Sequence, residues 1–413
     1  MRKRSESKER ELQRPERERE ERGPRYKGIA AAAKAFDAFR PARDVLSIVR
    51  AVPTRFVQFD HATRVKGLPI ERFGLIHGPS GEGKTYFSLG LLESFLRLDH
   101  FGLLIDAERT TPINWARGVM GPRADHPGFF AIRPKSYEET VKQVRDFVIT
   151  LKRQRDEGVI PPDTSALVIC DSIRKLVPEG LLAKLFGEVY EGVNSRRKKQ
   201  IDRGAKGIDG VGGRAAQIKA AMNAQWLDEL TPLLEETHTA FYAIAREAED
   251  PEADHYSKLA GTAYKVGGGT AIYYDSSIVI RIERASWVAD GGDDEGKNKK
   301  IFGEKHAVTI RKSKVAGQEQ KQTVCYFHTS NGVLTPVGFD RARDVIDIGV
   351  RFKIVEQSGA WFSFRGQRLG QGLHNSVKAL TDNEGLLDDI EVAVRESFPS
   401  YEPVEITDDG EVK

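Results

Sequence analysis

Short apolar runs alternate with longer amphipathic segments through the middle of the chain. The apolar runs cover Phe73–His77, Gly102–Asp106, Ala166–Cys170, Ala240–Ala245 and Ser277–Ile282. Runs of this length, bounded by polar residues, are typical of buried strands. Between them, amphipathic patterns predict helices over Lys84–Leu98, Tyr137–Arg155 and Ala215–Glu236. This alternation predicts an α/β fold, in which helices cover both faces of a mainly parallel sheet.

Two long polar stretches interrupt the alternation. One covers Glu179–Arg214 and contains the run RRKK, and the other covers Glu247–Gly269 and ends in three glycines. Both are too long for ordinary connections between a strand and a helix, which predicts functional loops. A third loop, rich in glycine and charge, is predicted over Asp290–Lys300.

The two ends of the chain differ in composition from its middle. Residues 1–28 are mostly Arg, Glu and Lys, which predicts a disordered arm that either touches phosphate or is only a solvated tail. The Ala-rich run Ile29–Phe39 predicts a short helix within a segment, 29–51, that packs on its own core or on a neighbouring subunit. A core is predicted over 52–334, a small C-terminal α/β domain over 335–398 and an acidic tail over 399–413.

Charge and cysteine content narrow the class of protein. The 64 basic residues nearly cancel the 61 acidic ones, so any contact with nucleic acid must use local patches. Cys170 and Cys325 form no metal or disulfide pattern, which favours a reduced, cytoplasmic protein. The first residues contain no secretory apolar region, and no apolar run is long enough to span a bilayer. We therefore expect no membrane partner.

A phosphate-binding motif stands between the first apolar run and the first predicted helix. The motif is G-x-x-x-x-G-K-[ST], here Gly78, Pro79, Ser80, Gly81, Glu82, Gly83, Lys84 and Thr85. Its glycines let backbone N–H groups surround phosphate oxygens, and the helix N-terminus adds positive potential. Lys84 is predicted to reach the β- and γ-phosphates and Thr85 to offer its hydroxyl to Mg²⁺. ATP with Mg²⁺ is the expected ligand pair.

Two carboxylates follow later strands of the same predicted sheet. Asp171 ends the strand ALVIC and is predicted to hold Mg²⁺ or its water, although in isolation such a residue commonly caps a turn. Glu108 follows GLLIDA at the sheet's carboxyl edge, where α/β ligands bind. A carboxylate there can polarise an attacking water, but periodicity alone equally allows a surface loop residue.

These segments, taken together, resemble the RecA family of DNA recombinases. IDAE at Ile105–Glu108 resembles the strand that carries the family's catalytic glutamate, and VICDSIRKLVPEG at Val168–Gly180 its Mg²⁺ strand and first DNA loop. GGGTAIYYDSSIVIRI at Gly267–Ile282 resembles the end of its second DNA loop with the helix and strand after that loop. GVRFKIVEQSGAWFSFRGQRLGQG at Gly349–Gly372 is similar to the family's C-terminal domain, a more specific signal than the phosphate motif.

The resemblance implies roles for further residues. Lys84, Thr85, Glu108 and Asp171 become the ATPase site, and Trp115 falls where the family places an aromatic ring on adenine, although an ordinary packed tryptophan fits the sequence as well. RKSK at Arg311–Lys314 resembles a basic pair that reaches a neighbouring subunit's ATP, which implies that Lys312 and Lys314 act in trans. Arg246 stands where the family usually has a glutamine that senses the γ-phosphate, so this switch is expected to differ.

The two long loops imply a surface for DNA. Basic side chains on a glycine-rich backbone suit a phosphate track that tolerates any sequence, whereas composition alone favours a solvated charge run. The residues predicted to bind DNA are Arg196, Arg197, Lys198, Lys199, Arg203, Lys206, Arg214, Lys258, Lys265, Gly267, Gly268 and Gly269. The GGGT sequence and the enlarged first loop resemble phage-encoded members, which would place the protein in a host cytoplasm.

The function implied by the resemblance is ATP-dependent homologous recombination. The expected protein forms helical filaments of its own copies on single-stranded DNA. It pairs the bound strand with homologous duplex DNA and hydrolyses ATP. A ring helicase or a recombination mediator with the same core is the alternative, and should lack the module seen here as SGAWFSFRG. A third possibility is an ATP-gated scaffold with little turnover, which Glu108 disfavours.

Overall fold

The computed structural model describes residues 49–186, 211–250, 264–289, 301–316, 322–328 and 338–399. The predicted arm, the predicted helix Ile29–Phe39 and the loop 290–300 lie outside these ranges, as do the RRKK run, Arg203, Lys206 and Lys258. Of the predicted helical segment 29–51, residue Ala51 lies in a strand. In the described ranges, no helix combines the length and the apolar character needed to cross a membrane.

The secondary structure follows the predicted alternation of strands and helices. The strands are β1 (Ala51–Val52), β2 (Leu68–Pro69), β3 (Phe73–Gly78), β4 (Phe101–Asp106), β5 (Phe129–Ile132), β6 (Ala166–Asp171), β7 (Thr239–Glu249), β8 (Tyr264–Val266), β9 (Ile278–Ala289), β10 (Ile301–Ser313), β11 (Gln322–His328), β12 (Gly338–Phe339), β13 (Glu356–Ser358), β14 (Trp361–Phe364) and β15 (Gln367–Gln371). The helices are α1 (Val57–Thr63), α2 (Lys84–Arg97), α3 (Ile113–Met120), α4 (Tyr137–Asp156), α5 (Glu179–Phe186), α6 (Val211–Glu236), α7 (Thr270–Asp275), α8 (Arg341–Arg351), α9 (Leu373–Thr381) and α10 (Glu384–Glu396).

One large sheet organises the core. Within the described residues its strand order is β12-β11-β10-β9-β3-β7-β6-β4-β5, and β8 pairs with the extended end of β7. In this order, each adjacent pair from β12 to β9 is antiparallel. Each adjacent pair from β9 to β5 is parallel. The predicted mainly parallel α/β fold is confirmed, with an antiparallel extension that the sequence pattern did not indicate.

Alternation along the central strands divides the core into two layers. In β7, Phe241 and Ala243 face a cluster with Trp226 of α6, while Tyr242 and Ile244 face the opposite cluster with α2. All four side chains are at most 2% exposed. Successive residues of a strand point to opposite faces, so a strand covered on both sides reads as a continuous apolar run.

A smaller unit follows β12. Helices α8, α9 and α10 pack beside the antiparallel sheet β13-β14-β15 around Val345, Ile348, Phe364 and Ile390. This is the small C-terminal α/β arrangement that the sequence predicted after residue 335.

Both long stretches predicted as loops are partly regular. In the first, α5 begins at Glu179, and α6 begins at Val211, before the predicted helix start at Ala215. In the second, β7 runs on to Glu249 and β8 pairs back against it, so the predicted loop has the base of a β-hairpin. The predicted boundaries at Arg214 and Glu247 were therefore wrong.

Asp344 joins the C-terminal unit to the core. It is fully buried, and its carboxyl group accepts hydrogen bonds from the backbone N–H groups of Val57 (2.7 Å) and Gln58 (3.3 Å) and from the Gln58 side chain (2.8 Å). The first N–H groups of a helix have no partner within the helix, so this distant carboxyl group acts as the cap of α1.

Replacing Asp344 with Ala should lower the free energy of unfolding by about 2–3 kcal/mol, because buried donors then lose their acceptor. Asp347→Ala is the control, since Asp347 forms only a partly exposed pair with Arg343 one helical turn away, and its loss should cost less than about 0.5 kcal/mol. Urea unfolding of both variants gives the comparison. Equal losses would show that Asp344 is not the connection between the units.

Candidate active site

The phosphate motif forms a turn that only glycine can build. Gly81 and Gly83 have φ angles of 81° and 82°, in the left-handed region that side chains disfavour. A Cβ atom on Gly78 would lie 2.0 Å from the carbonyl oxygen of Ile282 in the neighbouring strand. The chain thus leaves β3, turns tightly and enters α2 at Lys84, which leaves an open cradle in front of the helix N-terminus.

Lys84 and Thr85 place a cation and a hydroxyl at the floor of this cradle. The Lys84 ammonium is buried and donates to the carbonyl oxygens of Gly78 (3.0 Å) and Pro79. Burial lowers the pKa of Lys84, and Asp171 opposes this shift. The Thr85 hydroxyl donates to Oδ2 of Asp171 at 2.6 Å. Burial raises the pKa of Asp171, while the hydrogen bond from Thr85 lowers it.

Glu108 stands beside Asp171 because β4 and β6 are parallel neighbours. Its backbone N–H donates to the Asp171 carbonyl oxygen (3.1 Å), and Ser172 Oγ donates to its Oε1 (2.9 Å). Oε2 forms an ion pair with Arg246 at 3.3 Å. Arg246 reaches this point because β7 aligns it with Gly78 of β3. Arg246, which stands where the family usually has a glutamine, therefore forms an ion pair with Glu108, the candidate catalytic carboxylate.

A buried carboxylate fixes the turn that carries Glu108. Asp106, at the end of β4, accepts hydrogen bonds from the backbone N–H groups of Thr110 (3.0 Å) and Thr111 (3.4 Å). The guanidinium of Arg133 pairs with the same carboxylate at 2.8 Å. The direction of Glu108 is thus set by groups on two neighbouring strand ends.

Lys84, Thr85, Glu108 and Asp171 line one cavity of about 290 Å³. Trp115 lines it, half-buried, with its ring 5.6 Å from that of Tyr86 in an edge-to-face arrangement. The predicted residues that line the cavity are Ser80, Gly81, Glu82, Gly83, Lys84, Thr85, Glu108, Trp115, Asp171 and Arg246. Gly78 and Pro79 are absent from its lining and contribute the carbonyl oxygens beneath Lys84.

The sequence did not single out five of the lining residues as members of a site. Glu304 and His306 reach the cavity from β10, and Tyr86, Ser172 and Ile244 complete the wall. The antiparallel pairing of β10 with β9 brings His306 beside the phosphate loop. The spacing of residues along the sequence does not indicate which strands pair.

The donor set fits Mg²⁺ and a phosphate chain. Mg²⁺ favours oxygen ligands and usually takes one or two from the protein, with water and phosphate filling the rest. Thr85 and Asp171 provide one hydroxyl and one carboxylate side by side. At Gly81 the backbone is open to the cavity, since a Cβ atom there would meet nothing within 4 Å.

Lys312 and Lys314 lie outside this cavity. They point the same way, as their alternation predicts, and meet the carboxyl end of α7. Lys312 Nζ donates to the carbonyl oxygens of Tyr273 (2.8 Å) and Tyr274 (2.7 Å), and Lys314 Nζ to that of Tyr274 (2.8 Å). Burial, followed by the charge of Lys314, lowers the pKa of Lys312. Helix carbonyl groups, which carry partial negative charge, thus compensate the two like charges.

The described part of the predicted DNA surface lies around the hairpin of β7 and β8. Lys265 forms an ion pair with Asp250 at 2.9 Å, and Arg214 lies within α6. The Gly267 N–H donates to the Arg246 carbonyl oxygen (3.0 Å), and Asn223 donates to that of Gly268 (2.8 Å). Gly268 and Gly269 have φ angles of 108° and 100°, so this turn requires glycine for its own geometry.

The fold and the cavity define an α/β protein of the P-loop nucleotide-binding class. A family model described as the RecA C-terminal domain matches residues 343–399. The chain is 26% identical over 368 residues to Protein RecA of Oleidesulfovibrio alaskensis, which covers 89% of this chain and 88% of that protein. With Protein RecA of Clostridium tetani it is 24% identical over 350 residues, or 85% and 83% of the two chains. The resemblance to the RecA family is confirmed along most of the chain.

Proposed function

We propose that this protein is an ATP-dependent DNA recombinase, which forms filaments on single-stranded DNA and exchanges strands with a homologous duplex. The observation that carries the proposal is the convergence of Lys84, Thr85, Asp171 and Glu108 on one cavity of a RecA-like chain. These four groups supply a cation, a metal-binding pair and a carboxylate base.

The arrangement supports hydrolysis of ATP. Lys84 would stabilise negative charge that develops on the transferred phosphoryl group, because it is already oriented and largely removed from water. Thr85 and Asp171 would hold Mg²⁺, which when bound neutralises charge on the phosphate oxygens. Glu108 would accept a proton from the attacking water, while Ser172 and Arg246 keep its carboxylate in place.

The C-terminal domain favours a recombinase over a ring helicase or a mediator ATPase with the same core. Residues 343–399 match the RecA C-terminal domain, and the likeness to RecA proteins covers both the core and this domain. An ATP-gated scaffold would need no carboxylate beside the metal-binding pair, so Glu108 supports turnover.

DNA contact would use the two long connections. Their basic residues suit binding through the phosphate backbone, which leaves bases free to pair. The hairpin base is joined to the nucleotide site through Arg246, whose side chain meets Glu108 and whose carbonyl oxygen accepts from Gly267.

ATP would lie between subunits. Lys312 and Lys314 form a pair of cations at the surface, beside Tyr274, whose side chain is 68% exposed. In a filament this pair would complete the neighbour's phosphate site, as an arginine finger supplied in trans does. ATP would then strengthen the contact between protomers, and hydrolysis would weaken it.

Glu108→Gln tests the catalytic assignment. The amide keeps the size of the side chain but cannot accept a proton, so turnover should fall about a hundredfold or more while ATP binding and filament formation persist. The measurement is DNA-stimulated phosphate release, with ATP binding assayed separately. Glu235→Gln, an exposed change on α6, is the control and should behave as the parent. Loss of ATP binding in Glu108→Gln would contradict a role as base.

Replacing Arg196, Arg197, Lys198 and Lys199 with Ala tests the DNA-binding loop. Each lost phosphate contact should lower the slope of log affinity against log salt for single-stranded DNA by about 0.7. Binding is measured by fluorescence anisotropy from low to moderate salt. An unchanged slope would show that the run is only a solvated face.

Mixing two inactive variants tests the site in trans. Protein carrying Lys312→Ala and Lys314→Ala is combined with Lys84→Ala protein, and each alone should be nearly inactive. Mixed filaments contain interfaces that join an intact phosphate loop to an intact lysine pair, so DNA-stimulated ATPase should partly return.

The matched control combines Lys84→Ala with Glu108→Gln. Both changes fall on the same protomer's half of the site, so no mixed interface is whole and activity should stay low. Normal turnover by the double-lysine variant alone, or equal recovery in both mixtures, would contradict the trans assignment.

A further inference from the structure

The antiparallel extension of the sheet lies directly against the phosphate loop. Arg284 of β9 and His306 of β10 are opposite each other in the strand register. Side-chain and backbone groups of these two strands contact three consecutive loop residues, Gly81, Glu82 and Gly83. Residues outside the phosphate motif therefore support the loop.

Each of the three loop residues has its own contact. Arg284 Nη2 donates to the Gly81 carbonyl oxygen at 3.1 Å, and the Arg284 backbone N–H donates to Oε2 of Glu82 at 2.5 Å. The imidazole of His306 lies against Gly83, where a Cβ atom would be only 2.8 Å from its Cε1 and 3.0 Å from its Nδ1.

A single carboxylate joins these contacts into a unit. Oε2 of Glu304 lies 3.0 Å from Nε2 of His306 and 3.2 Å from Nε of Arg284. The His306 side chain is 2% exposed and Glu304 is 18% exposed, so both are shielded from bulk water. Burial lowers the pKa of His306, and the neighbouring carboxylate of Glu304 opposes this shift.

The loop needs such support because two of its three contacted residues are glycines. Glycine loses more conformational freedom on ordering than any other residue. A loop already held in its binding conformation avoids that loss when the ligand arrives, which raises affinity. A ring packed on Gly83 and a cation on Gly81 restrict the turn on both sides of Glu82.

We propose that His306 is a positioning residue for the nucleotide, which together with Glu304 and Arg284 holds Gly81–Gly83 in the phosphate-binding conformation. The inference rests on the proposed function, since it requires that the cavity bind ATP. It assigns to β10 a part in nucleotide affinity that is separate from the groups that carry out hydrolysis.

The test compares His306→Ala with His126→Ala. His126 is a matched control, because its imidazole also packs beside a glycine, Gly128, but lies outside the cavity. Dissociation constants for Mg-ATP and for ADP are measured by calorimetry. His306→Ala should weaken both about tenfold, as expected when one more residue must be ordered on binding, with kcat at saturating ATP within about threefold of the parent. His126→Ala should match the parent.

A second variant separates positioning from a general loss of folding. Glu304→Gln keeps the side-chain volume but weakens the link between His306 and Arg284, and should raise the same dissociation constants by a smaller factor. If the residues act as a unit, the variant that carries both His306→Ala and Glu304→Gln should bind Mg-ATP and ADP as tightly as His306→Ala alone. Circular dichroism melting confirms that each variant is folded at the assay temperature.

The outcomes distinguish the inference from the function on which it rests. A parent protein that does not bind Mg-ATP overturns the proposed function, and the inference with it. A parent that binds, together with a folded His306→Ala whose affinities match those of His126→Ala, overturns the inference alone. Additive effects in the double variant would also overturn it, because they show that Glu304 and His306 act independently.

Discussion

The parallel register of β3, β7, β6 and β4 determines where the polar groups of the cavity lie. It aligns Gly78 with Arg246 and Asp106 with Asp171, so that the ends of four strands form one edge. The sheet is buried on both faces, and a slip by one residue would exchange its two apolar layers. The packing of the core therefore holds the geometry of the cavity within narrow limits.

The sequence was sufficient wherever a function depends on consecutive residues. The turn from Gly78 to Thr85 needs glycine at left-handed positions and a helix after it. The eight residues of the motif indicate both requirements. Asp171 and Glu108 were found because buried parallel strands read as continuous apolar runs, and their ends share an edge.

Sequence reasoning failed where the determinant is pairing between distant segments. Glu304 and His306 reach the cavity only because β10 lies beside β9, and the partnership of Arg246 with Glu108 spans three strands. The lysine pair illustrates a different limit. Lys312 and Lys314 share a direction along the strand, but nothing in the sequence indicates that the carbonyl groups of α7 accept their hydrogen bonds. The start of α6 was misplaced because Gly212 and Gly213 are helical in the structure, although glycine is a poor helix former.

Arg246 links two parts of the chain thermodynamically. Its side chain is bonded to Glu108 and its carbonyl oxygen to Gly267, so one residue belongs both to the nucleotide cavity and to the base of the β7–β8 hairpin. Under the proposed function, a ligand that shifts the hairpin and with it the side chain of Arg246 would alter the free energy of nucleotide binding. Thermodynamic reciprocity then requires the nucleotide to alter that ligand's affinity by the same factor. Under the proposed function, the nucleotide site and a site on the hairpin would then regulate each other equally in both directions.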